Sequence, residues 1–363
     1  MLSPSSPSTE TRSVARRSTA RRDASPRTRR PSMTAGSVSA IPLVYERSFG
    51  YSMNDRSYCW EALMSRSISI AAAGIRAVGA VSPSLAARIA LAAFFSTSPR
   101  MAVRDDDRHT HDSARRGEIE VRGRRITTYA WGSGTRAVLL MHGWNARAAQ
   151  FATLVRELVG DGYRVVGFDA PANGASAGRR TDVRDWVAAA QRLSDTEGPF
   201  DLIIGHSFGG FAALAAVRAG VGTGRVATIS AAGGVQAFHD QFAATLRLTP
   251  AVRRAFEAQF YRRLGMPRST ADARYDSLRH PLPQHVDLLV VHDVDDSRLD
   301  ASHSRELHGV HHGHSELVLT AGYGHNRTLR ADPVLDAVLA FAATTSSREE
   351  EAARSAASAP RLG

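Results

Sequence analysis

Hydrophobic positions along the chain follow two different periods. Apolar and polar residues alternate in "EIEVRG" and "RITTYAW", between residues 118 and 131, and Gly123 near their junction completes the pattern of a β-hairpin. From residue 137 onward, short apolar runs alternate with stretches of helical spacing. The apolar runs are "AVLLMH", "YRVVGFDA", "DLIIGH", "RVATIS", "DLLVVHD" and "ELVLTAG". Strands that are apolar on both faces and alternate with helices predict a mostly parallel, doubly wound α/β sheet.

The alternation is interrupted between about residues 233 and 284. Stretches such as "PAVRRAFEAQFYRRLG" in this interval have helical spacing. We interpret the interval as a small helical cap inserted over the carboxyl edge of the sheet, where ligands of such folds bind. The α/β domain is therefore expected to span residues 118–345.

Residues 66–95 form a separate apolar unit of helical spacing. Pro83 divides the unit into two short helices, and a serine beside the proline is expected to cap the second helix. Arg76, Pro83 and Arg88 interrupt the run of about 20 apolar residues that a membrane span needs. We expect this unit to pack on the protein's own domain; the alternative is a helix pair that makes a peripheral contact with a membrane surface.

The segment between this helical unit and the hairpin is strongly charged. It reads "SPRMAVRDDDRHTHDSARRG" and is predicted to be a linker, so that residues 53–117 form a helical extension followed by a charged linker.

Composition and charge describe the two ends of the chain. Hydrophobic residues make up 43% of the 363 residues, which is enough for a sizeable core, and the net charge of +11 comes from arginine alone among the basic residues. The first 40 residues hold eight arginines against Glu10 and Asp23. Residues 1–52 and 346–363 lack a core-forming pattern and are predicted to be disordered. A nucleic-acid tail or a transit peptide is the alternative for the first segment, but no nucleic-acid partner is expected.

One cysteine, Cys59, is present, so an intrachain disulfide cannot form. A reducing compartment is the simplest interpretation, and no apolar signal-peptide core follows the arginines of the first segment. We therefore expect a cytoplasmic protein, with membrane association as the alternative through residues 66–95.

A serine stands between glycines at the end of one predicted strand. The sequence Gly205-His206-Ser207-Phe208-Gly209 has the form G-x-S-x-G and lies between "DLIIGH" and a predicted helix. Glycines two residues on either side of Ser207 let the strand and the helix approach, and the turn then exposes the serine side chain. A serine hydroxyl is a poor nucleophile alone, so a base and a residue that orients the base are needed.

Several further motifs appear in a fixed order around this serine. They are "LLMHGW" at 139–144, "FDAPANGAS" at 168–176, "VHDVDD" at 291–296 and "GYGHNRTLR" at 322–330. With these motifs the sequence resembles the α/β-hydrolase fold family, and in particular its bacterial serine hydrolases and esterases. The resemblance covers roughly residues 118–345 and implies the fold of that family, a nucleophile elbow and a catalytic triad in the order Ser, Asp, His.

The resemblance implies a role for five positions. Ser207 is the expected nucleophile, and His325, in a glycine-flanked loop after the last strand, is the expected base. The family pattern places the acid at Asp296, although Asp293 stands where the family has glycine. The backbone N–H groups of Trp144 and Phe208 are the expected oxyanion hole.

A histidine-rich stretch between the last two predicted strands raises the question of a metal. Residues 303–314 contain five histidines, but neither a cysteine nor a helical HExxH pattern accompanies them. We interpret the stretch as surface loop and predict no catalytic metal and no organic cofactor.

Two classes of function are consistent with these residues. The first is a serine hydrolase that cleaves a small-molecule carboxylic ester or thioester, with acyl transfer to another alcohol or perhydrolysis as variants on the same triad. The second is a catalytically idle member of the fold that serves as a binding protein. The complete set of Ser207, Asp296 and His325 argues against the second class.

Overall fold

The computed structural model describes residues 69–344. Predictions for the two chain ends, for Cys59 and for the beginning of the 53–117 segment lie outside the described residues. The strands are β1 (Arg115–Val121), β2 (Arg124–Trp131), β3 (Ala137–Met141), β4 (Arg164–Phe168), β5 (Leu202–His206), β6 (Arg225–Ile229), β7 (Asp287–Asp293) and β8 (Ser315–Thr320). The helices are α1 (69–81), α2 (Pro83–Phe94), α3 (Asp105–Asp112), α4 (Ala152–Gly160), α5 (Val183–Glu197), α6 (Phe208–Arg218), α7 (Val235–Thr245), α8 (Pro250–Leu264), α9 (Arg268–Tyr275), α10 (Ser302–Val310), α11 (Gly324–Arg327) and α12 (Asp332–Ala343).

All eight strands form one sheet in the order β1-β2-β4-β3-β5-β6-β7-β8. The hairpin of β1 and β2 is antiparallel to the rest, and β3 to β8 run parallel. Arg122 and Gly123 form the hairpin turn with φ of +49° and +74°. The predicted mostly parallel sheet with an antiparallel lead-in is therefore confirmed.

Helices cover both faces of the sheet because successive side chains of a strand point to opposite sides. In β3, Leu139 and Met141 join the core beneath α5 and α6, whereas Val138 and Leu140 join the core beneath α4 and α12. The parallel strands β3, β5 and β6 are buried along their whole length, as their continuous apolar sequences require.

Three helices, α7 to α9, stand between β6 and β7 in the interval predicted as a cap. The middle one, α8, begins with Thr249 as its N-cap and Pro250 in its first turn, and it ends at Gly265 in the left-handed conformation. These are the residues that start and stop a helix on steric and hydrogen-bonding grounds.

The helical unit near the described N-terminus packs against α8. The hydroxyl of Ser82 caps α2 by accepting the N–H of Leu85, and Pro83 is the first helical residue. Small residues of α1 and α2 let the helices approach α8 closely. The shared cluster contains Ala72, Ile75, Ala86, Ala87 and Ala90 with Leu246, Val252 and Phe256.

The charged segment before the hairpin differs from its prediction as a linker. It holds α3, whose Thr110 and His111 are buried. The indole N–H of Trp131 donates to the carbonyl of Thr110 (2.7 Å), and Arg330 pairs with the buried Asp107 (3.1 Å). Polar contacts to distant residues thus fix a segment whose sequence has few large apolar side chains.

Among residues 69–344, no helix has both the length and the apolar character that crossing a bilayer requires.

Candidate active site

Ser207 occupies the sharp turn between β5 and α6, with φ +54° and ψ −121°. Positive φ is uncommon for a residue other than glycine and marks local strain. A Cβ on Gly205 would overlap the backbone of Gly209. A Cβ on Gly209 would overlap the carbonyl oxygens of Met141 and His142. The two glycines thus permit the close approach of strand and helix that holds the half-buried Ser207 in this conformation.

Three side chains form a continuous chain of hydrogen bonds at the carboxyl edge of the sheet. The hydroxyl of Ser207 lies 2.9 Å from Nε2 of His325, and Nδ1 of His325 lies 2.6 Å from Oδ2 of Asp296. A carboxylate only accepts, so Nδ1 carries the proton and Nε2 is free to accept the hydroxyl proton. The structure therefore brings together the three residues predicted as a triad.

Asp296 is held as an anion by groups on its own loop and by two imidazoles. Its Oδ1 accepts the backbone N–H groups of Arg298 (2.8 Å) and Leu299 (3.0 Å), and Nε2 of His292 lies 3.3 Å from Oδ2. Burial alone would raise the pKa of the Asp296 carboxyl, but hydrogen bonds with His292 and His325 hold that pKa well below its usual range.

Asp293, the departure from the family glycine, holds the loop that carries His325, the predicted base. Its carboxylate accepts the hydroxyl of Thr320 (2.8 Å) and the backbone N–H groups of Tyr323 (3.1 Å) and Gly324 (2.9 Å). This side chain is fully buried, and His325 follows Gly324 directly. The sequence showed a carboxylate at an unusual position, but only the fold reveals which N–H groups it meets.

The side chain of His206 also contacts His325. Its Nε2–H donates to the backbone carbonyl of His325 (2.9 Å), and the two rings lie 4.9 Å apart. Burial, followed by the charge that His325 carries when protonated, lowers the pKa of His206 to about 3. His206 therefore stays neutral and keeps this hydrogen bond at neutral pH.

The loop after β3 lies against the serine. His142 fixes the loop, since its Nδ1–H donates to the carbonyl of Gly143 (2.7 Å) and its Nε2 accepts the N–H of Ala170 (2.9 Å). A Cβ on Gly143 would lie 3.3 Å from the Cβ of Ser207, so the glycine allows this approach.

Trp144 and Phe208, the predicted oxyanion-hole residues, lie on the two segments that meet at the serine. Within residues 69–344, neither backbone N–H donates to a protein acceptor. The indole N–H of Trp144 donates to the carbonyl of Ser96 (2.9 Å), and its ring meets Phe208 edge-on at 4.9 Å and stacks on Trp186 at 5.7 Å. The residues after α2 thus help to hold the loop, a contact that the sequence did not reveal.

The histidine-rich stretch is not the surface loop predicted from sequence, because it contains α10 and a buried His311. His311 accepts the N–H of Leu282 through Nε2, while His308 and His314 each hydrogen-bond with the protein through Nδ1. No group of three or more potential metal ligands occurs in the part of the chain that the structure describes.

Comparison with known proteins identifies the family. The sequence model of the alpha/beta hydrolase family matches residues 138–355, more than half of the chain. The chain belongs to the α/β hydrolase family. No curated protein matches the sequence.

Solved structures show the same fold at low sequence identity. Mouse alpha/beta hydrolase domain-containing protein 10 is 17% identical, with a TM-score of 0.50 over 63% of this chain and 96% of the mouse chain. A Pyrococcus furiosus esterase is 18% identical, with a TM-score of 0.50 over 67% and 94% of the two chains. A putative lipase from Acinetobacter baumannii is 16% identical, with a TM-score of 0.50 over 67% and 97%. The fold of this family member is thus the α/β-hydrolase fold, with a helical N-terminal region.

Proposed function

We propose that this α/β hydrolase cleaves a carboxylic ester or thioester through an acyl-enzyme on Ser207. The observation that carries the proposal is the hydrogen-bonded chain from Ser207 through His325 to Asp296. A serine hydroxyl at a strained elbow, a base at hydrogen-bond distance and a buried carboxylate behind the base are the parts that nucleophilic acyl transfer needs.

In the first half-reaction, Oγ of Ser207 attacks the carbonyl carbon while its proton passes to Nε2 of His325. The tetrahedral oxyanion is stabilised by the N–H groups of Trp144 and Phe208, and one such donor typically contributes about 3–4 kcal/mol. The intermediate collapses when the C–O or C–S bond breaks and His325 gives its proton to the leaving alcohol or thiol. Asp296 stabilises the imidazolium in between.

In the second half-reaction, water replaces the alcohol. His325 takes a proton from water, the hydroxide adds to the acyl carbon, and collapse releases a carboxylic acid while the proton returns to Ser207. The partly exposed ring of Trp144, backed by the buried rings of Phe208 and Trp186, forms an apolar wall on the loop after β3. This wall favours an apolar acyl group.

A fluorophosphonate probe together with nitrophenyl esters of graded acyl length tests the proposal. The unmodified protein should be labelled at Ser207 and should hydrolyse at least one ester, and Ser207→Ala should lose both properties. Ser269→Ala, which changes an exposed serine on α9, is the matched control and should behave like the unmodified protein. Labelling that persists in Ser207→Ala, or a folded protein that neither reacts nor hydrolyses any ester, would contradict the proposal and favour the idle binding protein.

A further inference from the structure

One cavity of the protein is lined by none of the candidate active-site residues. It lies where α2, the C-terminal end of α8 and the loop before α5 meet, and its volume is about 270 Å³. The residues around it are of two kinds, three arginines and three apolar residues. They are Arg88, Arg180 and Arg263 with Leu91, Ala92 and Phe95.

The positive charge around this cavity is only partly compensated, because Asp182 and Asp185 act on Arg263 from a distance without forming a salt bridge with it. Among residues 69–344, no carboxylate lies within salt-bridge distance of Arg88, Arg180 or Arg263. Burial, and then the positive charge of Arg180, lowers the pKa of Arg263. The positive charges of Arg180 and Arg263 therefore repel one another.

Three other arginines pair with carboxylates at the start of α5. Arg122 and Arg124 both contact the carboxylate of Asp185, at 2.7 and 2.5 Å, and Arg184 contacts Asp182 at 2.8 Å. Carboxylates thus pair with these three arginines, whereas Arg88, Arg180 and Arg263 take part in no salt bridge among the described residues.

The walls between the arginines are apolar. Phe95 is buried, and the guanidinium of Arg263 lies 4.4 Å from the centre of its ring. On the outer face of α2, Leu85 and Ile89 remain 46% and 43% exposed, one turn of helix away from Arg88 and Ala92. Cationic and apolar surface therefore adjoin one another.

We propose that this cavity binds the anionic headgroup of an amphiphile, with a phosphate or carboxylate between Arg88, Arg180 and Arg263. Guanidinium groups bind oxyanions through paired, charge-assisted hydrogen bonds, and three of them would neutralise one phosphate. The alkyl chain of the amphiphile leaves the headgroup along Leu91 and Ala92, the two apolar lining residues that are not buried. A lipid of a bilayer and a free amphiphile offer the same headgroup chemistry, and the experiment separates the two sources.

The test uses the full chain and two triple variants. Arg88→Gln/Arg180→Gln/Arg263→Gln removes the cavity charges. Arg192→Gln/Arg254→Gln/Arg305→Gln removes the same charge from exposed arginines that do not line the cavity. Arg88→Gln/Arg180→Gln spares the ring contact of Arg263 and is the reserve if the first variant unfolds.

The binding of two probes, dodecyl phosphate and lipid vesicles, is measured at about 0.15 M salt, where exposed charges are screened beyond about 8 Å. Calorimetry measures the binding of dodecyl phosphate, and inorganic phosphate, which has the same headgroup but no alkyl chain, is measured for comparison. Sedimentation follows vesicles of phosphatidylcholine with and without an equal part of phosphatidylglycerol. The unmodified protein and the control variant should bind dodecyl phosphate with similar affinity. The cavity variant should bind it at least about tenfold more weakly, which corresponds to a loss of about 1.4 kcal/mol of binding free energy.

The vesicle arm decides the source of the ligand. Charge-selective vesicle binding that the cavity variant loses supports a bilayer lipid. Binding of dodecyl phosphate without vesicle binding supports a free amphiphile. If both triple variants lost binding affinity equally, the effect would arise from net charge alone and the proposal would be wrong. Failure of the unmodified protein to bind either probe would also overturn it.

Discussion

Asp293 and Asp296, three residues apart in the chain, hold the same loop, the one that carries His325, by different atoms. Asp296 contacts the imidazole of His325 directly (2.6 Å), whereas Asp293 accepts the backbone N–H of Gly324 (2.9 Å), the residue before the histidine. The carboxylate of Asp296 faces the imidazole of His325, and that of Asp293 faces the backbone just before this histidine. Substitution of Asp296 and substitution of Asp293 should therefore impair different properties of the protein.

Asp296→Asn is expected to lower kcat by about 10⁴, because an amide favours the wrong tautomer of His325. Asp293→Asn should leave kcat much closer to its original value. It should instead lower the free energy of unfolding by about 1–3 kcal/mol, because an amide nitrogen cannot accept the N–H groups of the loop. Ester hydrolysis and denaturant melts of both variants measure these effects, and reversed effects would place the acid at Asp293.

Gly209→Ala is expected to destabilise the protein by roughly 2–3 kcal/mol or more. Its Cβ would overlap the carbonyl oxygens of Met141 and His142, so β3 or the elbow must move. Gly160→Ala, at the end of α4, is the matched control, since no atom lies within 4 Å of its new Cβ. Thermal unfolding of both variants checks the prediction, which fails if the two melting temperatures agree.

His239 is expected to make stability depend on pH. It is buried, both ring nitrogens lack a partner among residues 69–344, and burial lowers its pKa to about 4. The unfolded chain binds the proton near pH 6.5, so the free energy of unfolding should fall by roughly 3 kcal/mol between pH 6.5 and 4 on account of this group.

His239→Phe should remove that part of the pH dependence, because phenylalanine fits the aromatic neighbours and does not titrate. Phe94, Phe256 and Phe260 have their ring centres 5.5, 5.3 and 4.3 Å from the histidine ring. His285→Gln changes an exposed histidine and should leave the profile unaltered. Denaturant melts at several pH values measure the slopes, and an unchanged slope in His239→Phe would refute the assignment.

Removal of the N-terminal helices should expose the apolar side of α8. A chain of residues 96–345 keeps α3 and the whole of β1 but lacks Ala86, Ala87 and Ala90, which uncovers Val252 and Phe256, so we expect it to aggregate. A chain of residues 60–345 should stay monodisperse and keep its kcat/KM. Light scattering and ester hydrolysis compare the two, and a monodisperse, fully active shorter chain would contradict the expected packing.

Local patterns were sufficient for the strands and for the order of the chemical groups, but not for α3 and α10. Runs of apolar residues in β3 and β5 predicted buried parallel strands, and the glycines around Ser207 predicted the elbow, because both depend on sterics within a few residues. Spacing alone could not distinguish Asp293 from Asp296. That distinction depends on the loop after β8, which comes near only when the strands pair.

The sequence by itself determined that Ser207 lies in a tight turn and that Asp296 and His325 follow it in the chain. Tertiary structure decided which polar groups meet. It ordered α3 through the contacts of Trp131 and Arg330, joined Ser96 to the indole of Trp144, and gathered three unpaired arginines around one cavity. These contacts join residues that are distant in the chain. No local period encodes them, because their energies depend on burial and on partners that only the folded sheet and its helices supply.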